Sequence, residues 1–205
     1  MRRYIPSLIL LVSLLLFWET IVRLVGLSAL VVPAPSVVLL VLWDGLIVGY
    51  LWHHIWVTGV ETMLGFILGS SIGFIFGVIL GEVDKLRRLI WPYVLATQVV
   101  PKLALGPIFI VWFGFGMTST VVITALICFF PLVENTMTGL QIVASEKREL
   151  FRMLGAGRWK TLVHLKIPAG LPTIMAGVRV SIVLALVGAV VGEFIGGSEG
   201  LGASI

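Results

Sequence analysis

Residues 62–81 read TMLGFILGSSIGFIFGVILG, twenty residues without a charge and with glycine at every fourth place: Gly65, Gly69, Gly73, Gly77 and Gly81. A helix of about 20 apolar residues crosses the roughly 30 Å hydrocarbon core of a bilayer. A four-residue period keeps the glycines near one face of that helix, and in lipid a small face lets two backbones approach closely. The stretch predicts a membrane-spanning helix packed tightly along one side. Static close packing accounts for such a stripe as well as sliding or rocking does. Gly188, Gly192 and Gly196 repeat the spacing late in the chain.

Outward from this stretch, four more runs reach or approach spanning length: residues 6–25, 91–113, 119–138 and 171–195. Residues 103–133 carry no charge over 31 positions, too long for one straight crossing, and GFGMTS at 114–119 is the natural turn that divides them. The first run follows Arg2 and Arg3, yet no small-x-small cleavage site follows Leu16, so it is expected to remain as a span. The whole chain agrees: of 205 residues, 59% are hydrophobic and 12% charged, and the mean hydropathy is +1.14. Soluble domains carry about 25% charged residues. A soluble enzyme, a nucleic-acid binder and a disordered chain are therefore excluded. The lone Cys128 rules out an intrachain disulfide, and no Cys/His cluster offers a metal site.

Positive residues set the orientation. Eleven of the 14 Lys and Arg fall before the first run, between the second and third, or between the fourth and fifth. Arg23 alone is on the other side, and Lys102 and Arg179 lie within spans. The N-terminus and the loop at 144–170 are thus expected in the cytoplasm. The outer segment, residues 26–58, contains Pro33-Ala34-Pro35-Ser36, which can stop the chain and start a helix with Ser36 as N-cap. A short helix over 37–48, lying at the outer interface, is expected there. Trp52, His53, His54 and Trp56 suit an interfacial aromatic belt. A metal site from His53 and His54 is disfavoured, because adjacent residues point to different helix faces.

Residues 144–170 read ASEKRELFRMLGAGRWKTLVHLKIPAG. Leu150, Met153 and Leu154, then Leu162, Val163 and Ile167, recur at roughly helical spacing, and Gly155-Ala156-Gly157 interrupts them. This predicts two amphipathic helices with a bend, the second stopped by Pro168. A solvated loop has no need of that apolar face, which suits a membrane surface or a soluble partner.

The spacing of Glu149, Gly155, Leu165, Ile167 and Pro168 resembles the EAA motif of bacterial ABC importer permeases, with Leu150 and Phe151 in place of its two alanines. VVPAPSVVLLVLW, PKLALGPIFIVWFGFG, FFPLVENTMTGL and VVGEFIGGSEGLG look like the nitrate, sulfonate and taurine branch, with riboflavin and pyrimidine-precursor permeases as neighbours. The resemblance implies one all-helical permease domain over residues 1–205 in a bacterial inner membrane. It also implies a second copy of the permease making a homodimer, an external binding protein, and an ATPase subunit that uses ATP and Mg. Glu149, Leu150, Phe151, Gly155, Ala156, Leu165, Ile167 and Pro168 would then form the ATPase-coupling element. The family continues into a sixth span beyond GLGASI at 200–205, so a C-terminal truncation is expected.

No nucleotide site of the chain's own is expected: GAGRWKT at 155–161 lacks the glycine that a phosphate-binding loop needs before its lysine. An ionisable group at mid-membrane costs roughly 2.5–3.5 kcal/mol and usually faces protein or water. Lys102, with Gln98 and Pro101, is read as lining a path for an anion, because Pro101 and Pro107 permit a broken helix. Snorkelling, or pairing with Glu134, is the competing reading. Glu134 and Arg179 join the candidate path, with packing as their alternative role. A polytopic membrane enzyme is the reading from another class, but His53, His54, His164 and Cys128 are scattered. A secondary transporter would need an inverted repeat, and none is visible.

Overall fold

The computed structural model describes residues 5–26 and 31–204, with Leu103 described by its backbone alone. Arg2, Arg3 and Ile205 lie outside the described residues. The described residues form helices and turns without strands, in two compact units that divide after His53. The expected all-α membrane fold is the one observed.

The first unit holds α1 (Ile5–Val25) and α2 (Pro35–Val48). Almost every side chain of α1 is exposed, among them Leu8, Leu10, Leu14 and Phe17. Such a surface is tolerable only against lipid. The 14 residues of α2 measure about 21 Å at 1.5 Å per residue, too short to cross. Ser36 is not the N-cap of α2; Ala34 is, without a side-chain cap. Proline suits the first helical turn because its missing N–H has no partner there anyway. Ser36 turns instead to a full charge on α1: its N–H and hydroxyl donate to the Glu19 carboxylate at 3.0 and 2.7 Å. Arg23 holds the same carboxylate at 2.6 Å.

Helix α3 runs Tyr50–Glu82, 33 residues, so it starts well before the predicted residue 62. Trp52, His53, His54 and Trp56 belong to its first turns, not to a connecting segment. Nothing between Gly49 and Glu82 breaks a helix except isolated glycines, which cost only about 1 kcal/mol each.

The third expected span is two helices with a break. α4 (Asp84–Val99) ends where Pro101 drives Val100 to an extended ψ of 122°. A 3₁₀ turn at Lys102–Leu105 follows, then α5 (Gly106–Phe113), which has Pro107 in its first turn. Among the described residues, four helices are long and apolar enough to cross a membrane: α1, α3, α6 (Met117–Gln141) and the continuous stretch Arg158–Gly196.

In the second unit α6 lies between two small faces. An added Cβ at Gly73 would sit 2.6 Å from the Phe129 carbonyl oxygen, and one at Gly77 2.6 Å from Thr136 Cβ. Gly65, Gly69 and Gly81 meet Thr124, Ala125 and Leu140 in the same way. On the other side α9 (Ile167–Gly196) presents Gly188 and Gly192 to Thr124 and Thr120, while Gly196 meets Ile110 of α5. Cys128 and Ser181 clasp α6 to α9 reciprocally: Sγ donates to the Ser181 carbonyl at 3.3 Å, and Ser181 Oγ to the Cys128 carbonyl at 3.1 Å.

Candidate functional site

The candidate coupling element begins with α7 (Ser145–Met153), whose last turn closes on Gly155. The Gly155 N–H donates to the Arg152 carbonyl at 3.0 Å, and the Ala156 N–H reaches back to Phe151 at 2.9 Å. That pair of bonds, with Gly155 at φ +72°, is a Schellman cap, which glycine favours because it tolerates the left-handed conformation. The predicted bend therefore lies at its predicted place. The chain re-enters helix at α8 (Arg158–Thr161). Leu150, Met153, Leu154 and Trp159 stand exposed around the bend, Met153 at 86%. Glu149 is exposed as well.

Pro168 does not stop the second helix. A π turn at Leu162–Lys166 leads directly into α9, so Arg158–Gly196 is one helix of 39 residues. The Ile167 N–H reaches Leu162, five residues back. A widened turn relieves the clash that a proline ring makes with the preceding turn. Leu165, Ile167 and Pro168 thus lie about two turns or more along this helix from its start, while Leu150, Phe151, Gly155 and Ala156 gather at the bend. Leu165 and Ile167 are half-buried and Pro168 is exposed.

The element is braced to the end of α3. Lys166 Nζ donates to Glu82 Oε1 at 2.6 Å, and Arg158 donates to the Glu82 carbonyl at 3.2 Å. Both partners of the ion pair are largely buried, at 15% and 16% side-chain exposure, so removing either one would strand a charge away from water. A cavity of about 220 Å³ beside it is lined by Arg148, Arg152 and Arg158. Sequence reading missed this brace, because its partners are 84 positions apart. The available signal was Glu82 itself, a carboxylate ending an otherwise uncharged run.

The candidate path residues do not converge. Lys102 Nζ sits 5.3 Å over the Phe130 ring, and Trp91 stacks on the same Phe130 at 6.0 Å. Among the described residues, Lys102 makes no ion pair with Glu134. Gln98, Pro101, Glu134 and Arg179 are exposed. Asn135 donates to the Pro131 carbonyl at 2.8 Å, a local contact within α6.

Residues 69–205 match the family described as the binding-protein-dependent transport system inner membrane component. The chain belongs to this permease family. A riboflavin transport system permease of Chloroflexus aurantiacus is 39% identical over 195 residues, covering 95% of this permease and 73% of the relative. A formylaminopyrimidine transport permease of Halalkalibacterium halodurans is 33% identical over 92% of this permease and 75% of its own length. A putative aliphatic sulfonates transport permease of Bacillus subtilis is 32% identical over 98% and 74%. The permease is therefore a multi-pass inner-membrane subunit of an ABC importer, without a catalytic site of its own. An ATPase subunit and a substrate-binding protein are the general partners of this family.

Proposed function

We propose that the bend at Gly155, with the α7–α8 element around it, is the surface through which a separate ATPase drives this permease. The carrying observation is a capped turn that exposes Leu150, Met153, Leu154 and Trp159 while Glu82 and Lys166 brace it to α3. Closure of the ATPase dimer on ATP and Mg pushes this element. The brace and the unbroken helix into α9 carry the push to two spans at once. Two copies of the chain, embedded in lipid, make the pathway, with the N-terminus and residues 144–170 in the cytoplasm.

Gly155→Asp tests the coupling. Losing a close contact in an interface hot spot costs about 2 kcal/mol, roughly thirtyfold in affinity. The variant is expected to insert normally, to lose ATPase in a pull-down from the assembled transporter, and to lose substrate uptake. Wild-type pull-down and uptake would remove the bend from the mechanism. For orientation, single cysteines replacing Asp84 and Lys160 are expected to resist an impermeant thiol reagent in intact cells. Labelling of both from outside would invert the topology.

The substrate reading is a small sulfonate-like anion, supported by Lys102 and by the sulfonate and taurine permeases among the relatives. A second reading, a nitrogen-containing aromatic vitamin or its precursor, is favoured by the 39% identity to the riboflavin permease. The Trp91–Phe130 stack beside Lys102 suits an aromatic ring. Uptake of labelled taurine against labelled riboflavin, with the cognate binding protein present, separates the two.

A further inference from the structure

Where α3 begins and α9 ends, at the far end from the coupling bend, the fold buries two carboxyls. Glu61 is 2% exposed and Glu193 1%. The two side chains, one from each helix, lie beside each other. Glu193 Oε2 accepts the Gly202 N–H at 2.7 Å. Glu61 Oε2 and Glu193 Oε1 are buried and receive no donor.

A lid of backbone seals this pair. It is the segment 197–202, GSEGLG, whose amides bond onto the two helices. The Gly200 N–H donates to His54 Nδ1 at 3.0 Å, and the Leu201 N–H to Thr58 Oγ1 at 2.9 Å. His54, Thr58 and Glu61 lie at i, i+4 and i+7, on one face of α3. Three successive loop amides thus find acceptors on α3, α3 and α9. Gly200, at φ +107°, packs so closely that a Cβ would strike the Glu193 carboxyl, and one at Gly202 would strike the Val190 carbonyl. There is no room between lid and carboxyls for a larger group.

Two carboxylates facing each other away from water cannot both remain ionised, because burial and mutual repulsion oppose the second charge. The pair needs one positive ligand. Among the described residues, neither Glu61 nor Glu193 joins an ion pair. No group of three His, Cys, Asp or Glu side chains converges to hold a metal ion among them either. Among the described residues, Glu199 of the lid lies near Glu61, and His54 of α3 is held at the lid, where it accepts the Gly200 N–H. Residues 106–127, which cover α5 and the outer half of α6, contain no acidic, basic, histidine, cysteine or tyrosine side chain.

We infer that Glu61 and Glu193 form a proton-binding site: one carboxyl donates its O–H to the other carboxylate, and the lid over 197–202 closes on the shared proton. Proton withdrawal leaves two buried charges, whose relief is hydration, and hydration requires the lid to lift. The site therefore couples proton supply on its side of the membrane to closure of the outer end of α3 against α9. It stands apart from the coupling bend and does not depend on it.

Difference infrared spectroscopy on the purified permease tests the site directly. A protonated-carboxyl C=O band, sensitive to D₂O, is expected in the wild type at neutral pH and is expected to disappear in Glu61→Gln. That variant places a fixed N–H donor opposite Glu193 in nearly the same shape. It is expected to keep the wild-type melting temperature at neutral pH and to lose the fall in melting temperature that the wild type undergoes as pH rises. Glu193→Gln serves as the second variant, and if neither variant folds the wild-type band still decides. Absence of the band overturns the proposal. So does a melting temperature that follows Na⁺ or K⁺ against choline at constant ionic strength, because the pair would then hold a metal cation.

Discussion

Glycine serves opposite purposes along α3 and at Gly155. At Gly69 and Gly73 the backbone is ordinary helix, but a Cβ would collide with the Ala125 and Phe129 carbonyls of α6. At Gly155 a Cβ would meet nothing within 4 Å, yet φ is +72°. The first position forbids a side chain for lack of space, the second for lack of a suitable backbone conformation. In lipid there is no hydrophobic drive between helices, so close backbone approach is what holds α3 to α6. At the bend the space around the glycine is open, and the apolar side chains of Leu150, Met153, Leu154 and Trp159 stand exposed there.

The largest effect that this contrast predicts is at the stripe. Gly73→Leu must push α3 off α6, and overpacking of this kind costs about 1–3 kcal/mol. A marked drop in melting temperature in detergent is expected, and unchanged stability would mean that the face is turned to lipid. A smaller effect is expected from backbone strain alone. Gly155→Val costs about 1–2 kcal/mol locally, whereas Gly155→Asn, which tolerates the left-handed conformation, retains the cap. Hydrogen exchange at Leu154, Gly155 and Ala156 reports it; equal protection in the two variants would show that conformation is not what selects glycine there. The smallest effect is at the α6–α9 clasp. Ser181→Ala removes one interhelical bond, worth about 0.6 kcal/mol in membranes on average, and a shift as large as that of Gly73→Leu would place the main helix contact on the wrong side of α6.

The bend was legible because it is local: Gly155 falls between two runs of apolar residues, and a Schellman cap is closed by bonds spanning a few positions. The break in the third span was legible for the same reason, since Pro101 and Pro107 act on their immediate neighbours. Ser36 was misread because a local rule for caps met a non-local competitor. Glu19 lies 17 positions away, and its charge draws Ser36 more strongly than the end of α2 does. Pro168 was misread because a proline stops a helix only when the preceding turn cannot widen, and the π turn at Leu162–Lys166 is invisible in a pattern of residue types. The candidate path showed the limit most clearly. Lys102 was found from its charge within a span, but its neighbour Phe130 is 28 positions away along the chain and on another helix.

By itself the sequence determined that this chain lives in a membrane, which face of α3 packs closely, and which loop resembles the importer motif. Hydropathy, glycine period and motif spacing are properties of neighbouring residues, and they survive without knowledge of the fold. Only the tertiary structure decided which helix the glycine stripe touches, that Glu82 braces Lys166, and that Glu61 faces Glu193. Those pairings depend on how helices far apart in the chain come together, and a buried charge declares its role only when the group opposite it is known.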